Sequence, residues 1–237
     1  TNWTIETWVN PTGNYGVSNN ILFAKRNTGQ VFQSMSFNGT SQYLSISTST
    51  GAFAFASNDW TIECWFYGSG AIVGRGPNDA DDELYILASA SGQYYVDWGN
   101  ASEYWQSAAG LFATTQWTHL AVVRSLSTLA VYQNGVLLVA AAGSNIISRA
   151  LTNNYAFRIG QARSGGTVTY FSGYIANFRV VNGLAVYTGN FNPPDGLLST
   201  SQVANAFGGI NTLAISTGST TLLIGQFNIS NSISDLS

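Results

Sequence analysis

A chain of 237 residues that is 45% hydrophobic and 14% aromatic has material for one large β domain with something attached, and it lacks the low-hydrophobicity, high-charge signature of disorder. Only 8% of its residues are charged, against about 25% in an ordinary domain, so Ser, Thr, Asn, Gln and Gly must supply the surface. A net charge of −3 with Lys25 as the only lysine leaves no clustered cations for a phosphate backbone, which excludes nucleic acid as a partner, and no apolar run approaches the ~18 residues that cross a bilayer.

The chain opens with Asn2-Trp3-Thr4-Ile5-Glu6-Thr7-Trp8-Val9, in which Trp3, Ile5, Thr7 and Val9 share one face of a strand. Pro11-Thr12-Gly13 ends it, and residues 21–24 read as a second short strand. No signal peptide is visible and the chain starts in mid-strand, so the true N-terminus is expected elsewhere. The first motif returns as Asp59-Trp60-Thr61-Ile62-Glu63-Cys64-Trp65-Phe66. Different material follows the two copies, which does not suit a short solenoid. Residues 1–33 therefore read as the remnant of a preceding related domain, or as an extra strand pair. Residues 34–200 form the main domain and residues 201–237 a β-rich C-terminal extension.

Within the main domain, short apolar runs separated by Gly and Asn predict strands near residues 60–67, 71–74, 83–88, 94–98, 103–107, 156–160 and 169–180, an all-β sandwich pattern. Residues 116–139 predict a meander of three antiparallel strands. Trp117, His119, Ala121 and Val123 fall on one face of its first strand, and Asn134-Gly135 marks a type I′ hairpin turn. Residues 182–187 suit a single helical turn, and residues 220–224 a last strand. Trp60, Trp65 and Trp117 read as core. Cys64 reads as a small buried apolar residue and His119 as a hydrogen-bonded core residue. A Cys–His nucleophile is disfavoured because neither lies in a loop or at a helix N-terminus.

Two constellations could carry chemistry. Residues 75–83 hold Asp79, Asp81, Asp82 and Glu83, four of the eleven acidic residues. One reading is a solvated turn. A second is a Ca²⁺ site, since close like charges repel unless a cation or Arg75 offsets them, although the spacing matches no complete calcium loop. A third is a glycosidase: in an extended segment Asp79, Asp81 and Glu83 would share a face, with neighbours roughly 6.5–7 Å apart. The second constellation is aromatic, across residues 94–106. Tyr94, Val96 and Trp98 make a core face, which leaves Tyr95, Asp97, Asn100 and Tyr104 as the residues expected to be exposed and to meet a sugar through stacking and hydrogen bonds.

The segments Ser36-Phe37-Asn38-Gly39-Thr40-Ser41-Gln42-Tyr43-Leu44, Asp59 to Phe66, Gln116 to Arg124, Val131-Tyr132-Gln133-Asn134-Gly135 and Gly173-Tyr174-Ile175-Ala176-Asn177-Phe178-Arg179-Val180 occur in this order. Together they resemble the laminin-G-like domains of the concanavalin A-like lectin/glucanase superfamily, in the version found in phage virion proteins and in bacterial surface proteins; the last of them, running on from Arg179 to Gly189, looks most like marine phage, especially cyanophage, structural proteins. The resemblance implies a jelly-roll sandwich of two antiparallel sheets and a role in recognition or adhesion. The glucanase branch carries Glu-x-Asp-x-x-Glu on one strand; this chain has no such motif, so a non-enzymatic role is expected. The implied protein is a virion component, a tail fibre, tail-associated protein or capsid decoration, located on the extracellular particle. Its expected partners are other virion proteins and host-surface glycans. Such components are usually oligomeric, so a homo-oligomer is expected, although no heptad pattern sets its copy number. A secreted or cell-surface bacterial adhesion module is the alternative.

Overall fold

The computed structural model describes residues 34–46, 51–77, 80–99 and 103–225. The expectations for residues 1–33 and for the last residues of the extension lie outside these. The described residues form fifteen strands and no helix. In chain order they are β1 (Ser34–Asn38), β2 (Leu44–Ile46), β3 (Trp60–Gly76), β4 (Leu84–Ala88), β5 (Tyr94–Asp97), β6 (Tyr104–Gln106), β7 (Thr118–Ser125), β8 (Thr128–Gln133), β9 (Val136–Leu137), β10 (Ala142–Gly143), β11 (Ala156–Ile159), β12 (Gln161–Ser164), β13 (Thr167–Tyr170), β14 (Ser172–Asn182) and β15 (Thr220–Ile224).

All pairings are antiparallel, and they build two layers that share one strand. The first layer runs β14-β3-β7-β8-β9, with β1 and β15 side by side along the other edge of β14. The second runs β2-β11-β3-β4-β5-β6-β10. The shared strand is β3: Trp60 to Phe66 pair with β7, while Gly70 to Arg75 pair with β4. It passes between layers at Gly68 and Gly70, whose φ values are 123° and 126°. A Cβ on Gly68 would lie 2.0 Å from the Ser172 carbonyl oxygen, and one on Gly70 would lie 2.2 Å from that of Tyr170. Only glycine meets both demands.

Period-two alternation then fills three apolar regions. Trp60, Ile62, Cys64 and Phe66 of β3 point into the main core between the layers, with Leu120, Val122, Trp98, Trp105, Phe157 and Ile175. On the outer face of the first layer, Ala121, Val123 and Val181 meet Val186, Tyr187, Phe191 and Ile215, so residues 184–215 cover that face. On the outer face of the second layer, Ala71 and Tyr85 meet Ala162 of the separate β12–β13 hairpin. Within the expected C-terminal extension, β15 pairs with β14 and places Leu222 and Ile224 in the main core.

The central meander is as the pattern predicts: β7, β8 and β9 are consecutive, and Asn134 and Gly135 both have positive φ, 49° and 78°. Cys64 and His119 are both buried, on opposite faces of their sheet. Four local expectations are corrected. Residues 60–67 and 71–74 are one strand, because the glycines between them bend the chain without ending its pairing. Residues 169–180 are divided between β13 and β14, with Phe171 turned into the core. Residues 183–186 are irregular rather than helical, because Thr61 anchors them: its hydroxyl donates to the Leu184 carbonyl and accepts from the Val186 amide. Trp117 is 45% exposed, since it precedes β7 and lies beyond the cover.

We expect Gly70→Ala to destabilise the fold by about 1–3 kcal/mol, read in chemical denaturation. Gly196→Ala, where nothing lies within 4 Å of the added carbon, should stay within about 0.5 kcal/mol of wild type. Equal stabilities for the two variants would refute the crossing at Gly70.

Candidate functional site: a tyrosine row, an acidic clamp and a buried carboxylate

Three of the expected sugar-binding residues, Tyr95, Asp97 and Tyr104, fall on the outer face of the sheet formed by β4, β5 and β6. Register places Tyr85, Asp97 and Tyr104 in one cross-strand row, and Leu87, Tyr95 and Gln106 in the next. The Tyr95 and Tyr104 rings stack at 5.2 Å with 19° between their planes, and Tyr85 lies 6.0 Å from Tyr95. Tyr85 is buried against Ala162, so the β12–β13 hairpin abuts this row. Tyr95 and Tyr104 remain half-exposed, as alternation requires once Tyr94, Val96 and Trp98 fill the core.

Asp97 differs from expectation. It is 3% exposed, and its Oδ1 accepts the Gly99 amide at 2.8 Å. Burial first, then the charge of Asp97, pushes the phenol of Tyr95 up to about 12. The turn at Gly99 folds over this carboxylate, so Asp97 closes the turn rather than meeting a ligand. Asn100 lies outside the described residues.

The acidic segment is neither a strand nor a common cage, so the extended geometry that the glycosidase reading needs is absent from the described part of residues 77–83. Asp81 accepts the Gly165 and Gly166 amides at the tip of the β12–β13 hairpin, at 3.0 and 2.9 Å. Asp82 pairs with Arg158 and accepts the Arg163 amide at 2.7 Å. Burial nevertheless pushes its carboxyl up to about 6. Glu83 pairs with Arg75 at 2.9 Å and accepts from Asn153. Asp79 lies outside the described residues. Arginines and amides thus offset the repulsion that suggested a cation, and the loop clamps the hairpin to the second layer. Among the described residues no three His, Cys, Asp or Glu side chains gather as metal ligands; Asp79, one of the four expected calcium ligands, is not among them.

A third cluster was not anticipated. Glu63, on the reverse of β3, is buried and accepts Arg179 Nε and Nη2 at 2.9 and 2.6 Å on Oε1. The Tyr187 hydroxyl donates to Oε2 at 2.6 Å, and His119 Nε2 lies 3.3 Å from the same oxygen. Burial alone would raise this carboxyl; Arg179, then His119 and Tyr187, outweigh it and hold it at about 2. Arg179 also donates to the Ser199 carbonyl and to Gln202. The cluster therefore ties the cover of residues 184–215 to the sheet. A signal for it exists: in a chain so poor in charge, a glutamate and an arginine inside apolar strands must find one another. It is sealed from solvent, so its chemistry is structural.

The family model described as the concanavalin A-like lectin/glucanases superfamily matches residues 38–185. No curated protein sequence matches the chain. Among solved structures it is similar to a heptameric SAP-like pentraxin from Limulus polyphemus, at 20% identity and TM-score 0.41, over 61% of this chain and 73% of that one. It is also similar to the CBM40 of a Ruminococcus gnavus IT-sialidase bound to α2,3-sialyllactose, at 15% identity and TM-score 0.46, over 62% and 86% of the two chains. Domains LG4-5 of the mouse laminin α1 chain match at 16% identity and TM-score 0.46, over 68% of this chain and 45% of that one.

Two measurements test this region. The contribution of ionised Glu63 is present above its ordinary pKa of 4.5 and is lost as pH falls toward 2. Melting followed by circular dichroism should drop across that window. Glu63→Gln should flatten the drop while costing about 3–5 kcal/mol at neutral pH, because Arg179 stays buried without its charge partner. Melts in excess EDTA and in millimolar CaCl₂ should coincide; a calcium-dependent rise would restore a metal role for the segment around Asp79.

Proposed function

The chain belongs to the concanavalin A-like lectin/glucanases superfamily, and on that premise we propose that it is a non-enzymatic, lectin-like binding module of a phage virion protein, attaching the particle to host-surface glycans. The observation that carries this reading is the half-exposed Tyr95–Tyr104 stack, packed beside Tyr85 and the β12–β13 hairpin and bordered by Gln106. Aromatic faces take the apolar faces of sugars, while amide and hydroxyl groups bond their rims. The absence of the glucanase-type Glu-x-Asp-x-x-Glu strand favours binding over hydrolysis, as does the engagement of Asp81, Asp82 and Glu83 with protein partners. A surface poor in charge suits an exposed particle component, and the resemblance of the segment from Arg179 to Gly189 to phage structural proteins supports the virion reading. In such a particle the chain would contact other virion proteins and copies of itself. No helix among the described residues is long and apolar enough to cross a membrane.

A second reading, subunit packing without a ligand, is favoured by the same aromatic faces. A glycan array probed with the whole chain separates the two. We expect binding to a subset of glycans that weakens at least tenfold in Tyr104→Ala, with no sugar released. No binding to any glycan, with immunogold placing the chain between particle subunits, would favour packing. Reducing-sugar release from host polysaccharide would overturn the non-enzymatic assignment.

A further inference from the structure

The cover over the first layer stops short, and what it leaves open is aromatic. Its last contacts are the Trp65 indole N–H donated to the Pro194 carbonyl and the Phe191 ring against His119 at 5.8 Å. One step further along the same face stand Tyr67 of β3, Tyr174 directly opposite it on β14, and Trp117 at the start of β7. Their centroids form a row, 6.1 Å from Tyr67 to Tyr174 and 5.9 Å from Tyr67 to Trp117. Trp117 is 45% exposed and Tyr174 is 44% exposed.

Two features decide what this row can take. On this face its neighbours in the sheet are Ser36 opposite Tyr174 and the Ser69–Ser172 pair, while Thr118 turns into the core. None of these serines is charged, so among the described residues they offer nothing to recognise an anionic sugar, a phosphate or a charged peptide. Three rings, each less than fully exposed, also fall far short of the roughly 800 Å² per partner that a stable protein interface takes. An apolar strip with hydroxyl borders matches an uncharged polysaccharide, whose ring faces are apolar and whose edges carry hydroxyls. The ring planes are turned by 63° and 55° between neighbours. They therefore suit a soluble, twisting chain and not a flat crystalline face.

We propose that Trp117, Tyr67 and Tyr174 form a binding site for a neutral, soluble polysaccharide chain, with one aromatic ring for each of three successive sugar units. It lies on the opposite layer from Tyr95 and Tyr104 and does not depend on their role. Affinity electrophoresis of the whole chain tests it, in gels containing hydroxyethylcellulose, galactomannan or dextran, with hyaluronan as the anionic control. The expected result is retardation by at least one neutral polymer and not by hyaluronan. Trp117→Ala and Tyr174→Ala should each weaken it at least tenfold with unchanged melting temperature. Three outcomes would overturn the site: no retardation by any neutral polymer, retardation by hyaluronan alone, or wild-type retardation of Trp117→Ala. Concentration-dependent dimerisation in sedimentation that Trp117→Ala abolishes would also overturn it, by showing that a second copy covers the row.

Discussion

One strand belongs to both layers, and the architecture follows from that sharing. β3 enters as the centre of the first sheet and leaves as the centre of the second. Because its backbone pairs on both edges along most of its length, the layers cannot separate without breaking it. The passage is possible only where Gly68 and Gly70 let two backbones approach more closely than any side chain would permit. The alternation of β3 then assigns every residue to a place. Even-numbered positions from Trp60 to Phe66 fill the core. Odd-numbered ones hold Thr61, which ties down the chain after β14, Glu63, which binds the cover, and the aromatic pair Trp65 and Tyr67.

A chain with so few charges might be expected to keep them in water. This one buries several as pairs: Glu63 with Arg179, Asp82 with Arg158, Glu83 with Arg75. The first two join segments far apart in sequence, and each of the three would be costly to break from one side. In effect the ions fasten cover, hairpin and loop to the two sheets, and the exterior is left to hydroxyls, amides and tyrosines. Such an exterior offers stacking faces and neutral hydrogen bonds, a character common to both outer-face aromatic rows.

The two rows also differ instructively. Tyr95 and Tyr104 are nearly parallel, and Tyr95 packs against Tyr85 and the neighbouring hairpin. Tyr67, Trp117 and Tyr174 are steeply inclined to one another. Pre-set rings lose little freedom on binding, which is the economy of an aromatic platform on a rigid sheet.

Much of this was legible in the residues themselves. Period two, the Asn134-Gly135 turn and the inward run of Tyr94, Val96 and Trp98 are local properties, written in side-chain alternation and backbone preference, and they determined an antiparallel β sandwich and the outward placing of Tyr95 and Tyr104. Whether a face meets solvent or another segment is not local. Alternation assigned Trp117, His119 and Ala121 to one face, yet the cover of residues 184–215 buries two and leaves the tryptophan open. The acidic residues after Arg75 looked like a metal loop because their partners, Arg158, Arg163 and the Gly165-Gly166 turn, lie about eighty positions away. Asp97 looked exposed because nothing nearby in sequence foretold the turn that closes on it. Burial and charge pairing depend on which distant segments pack together, and only the tertiary structure decides that.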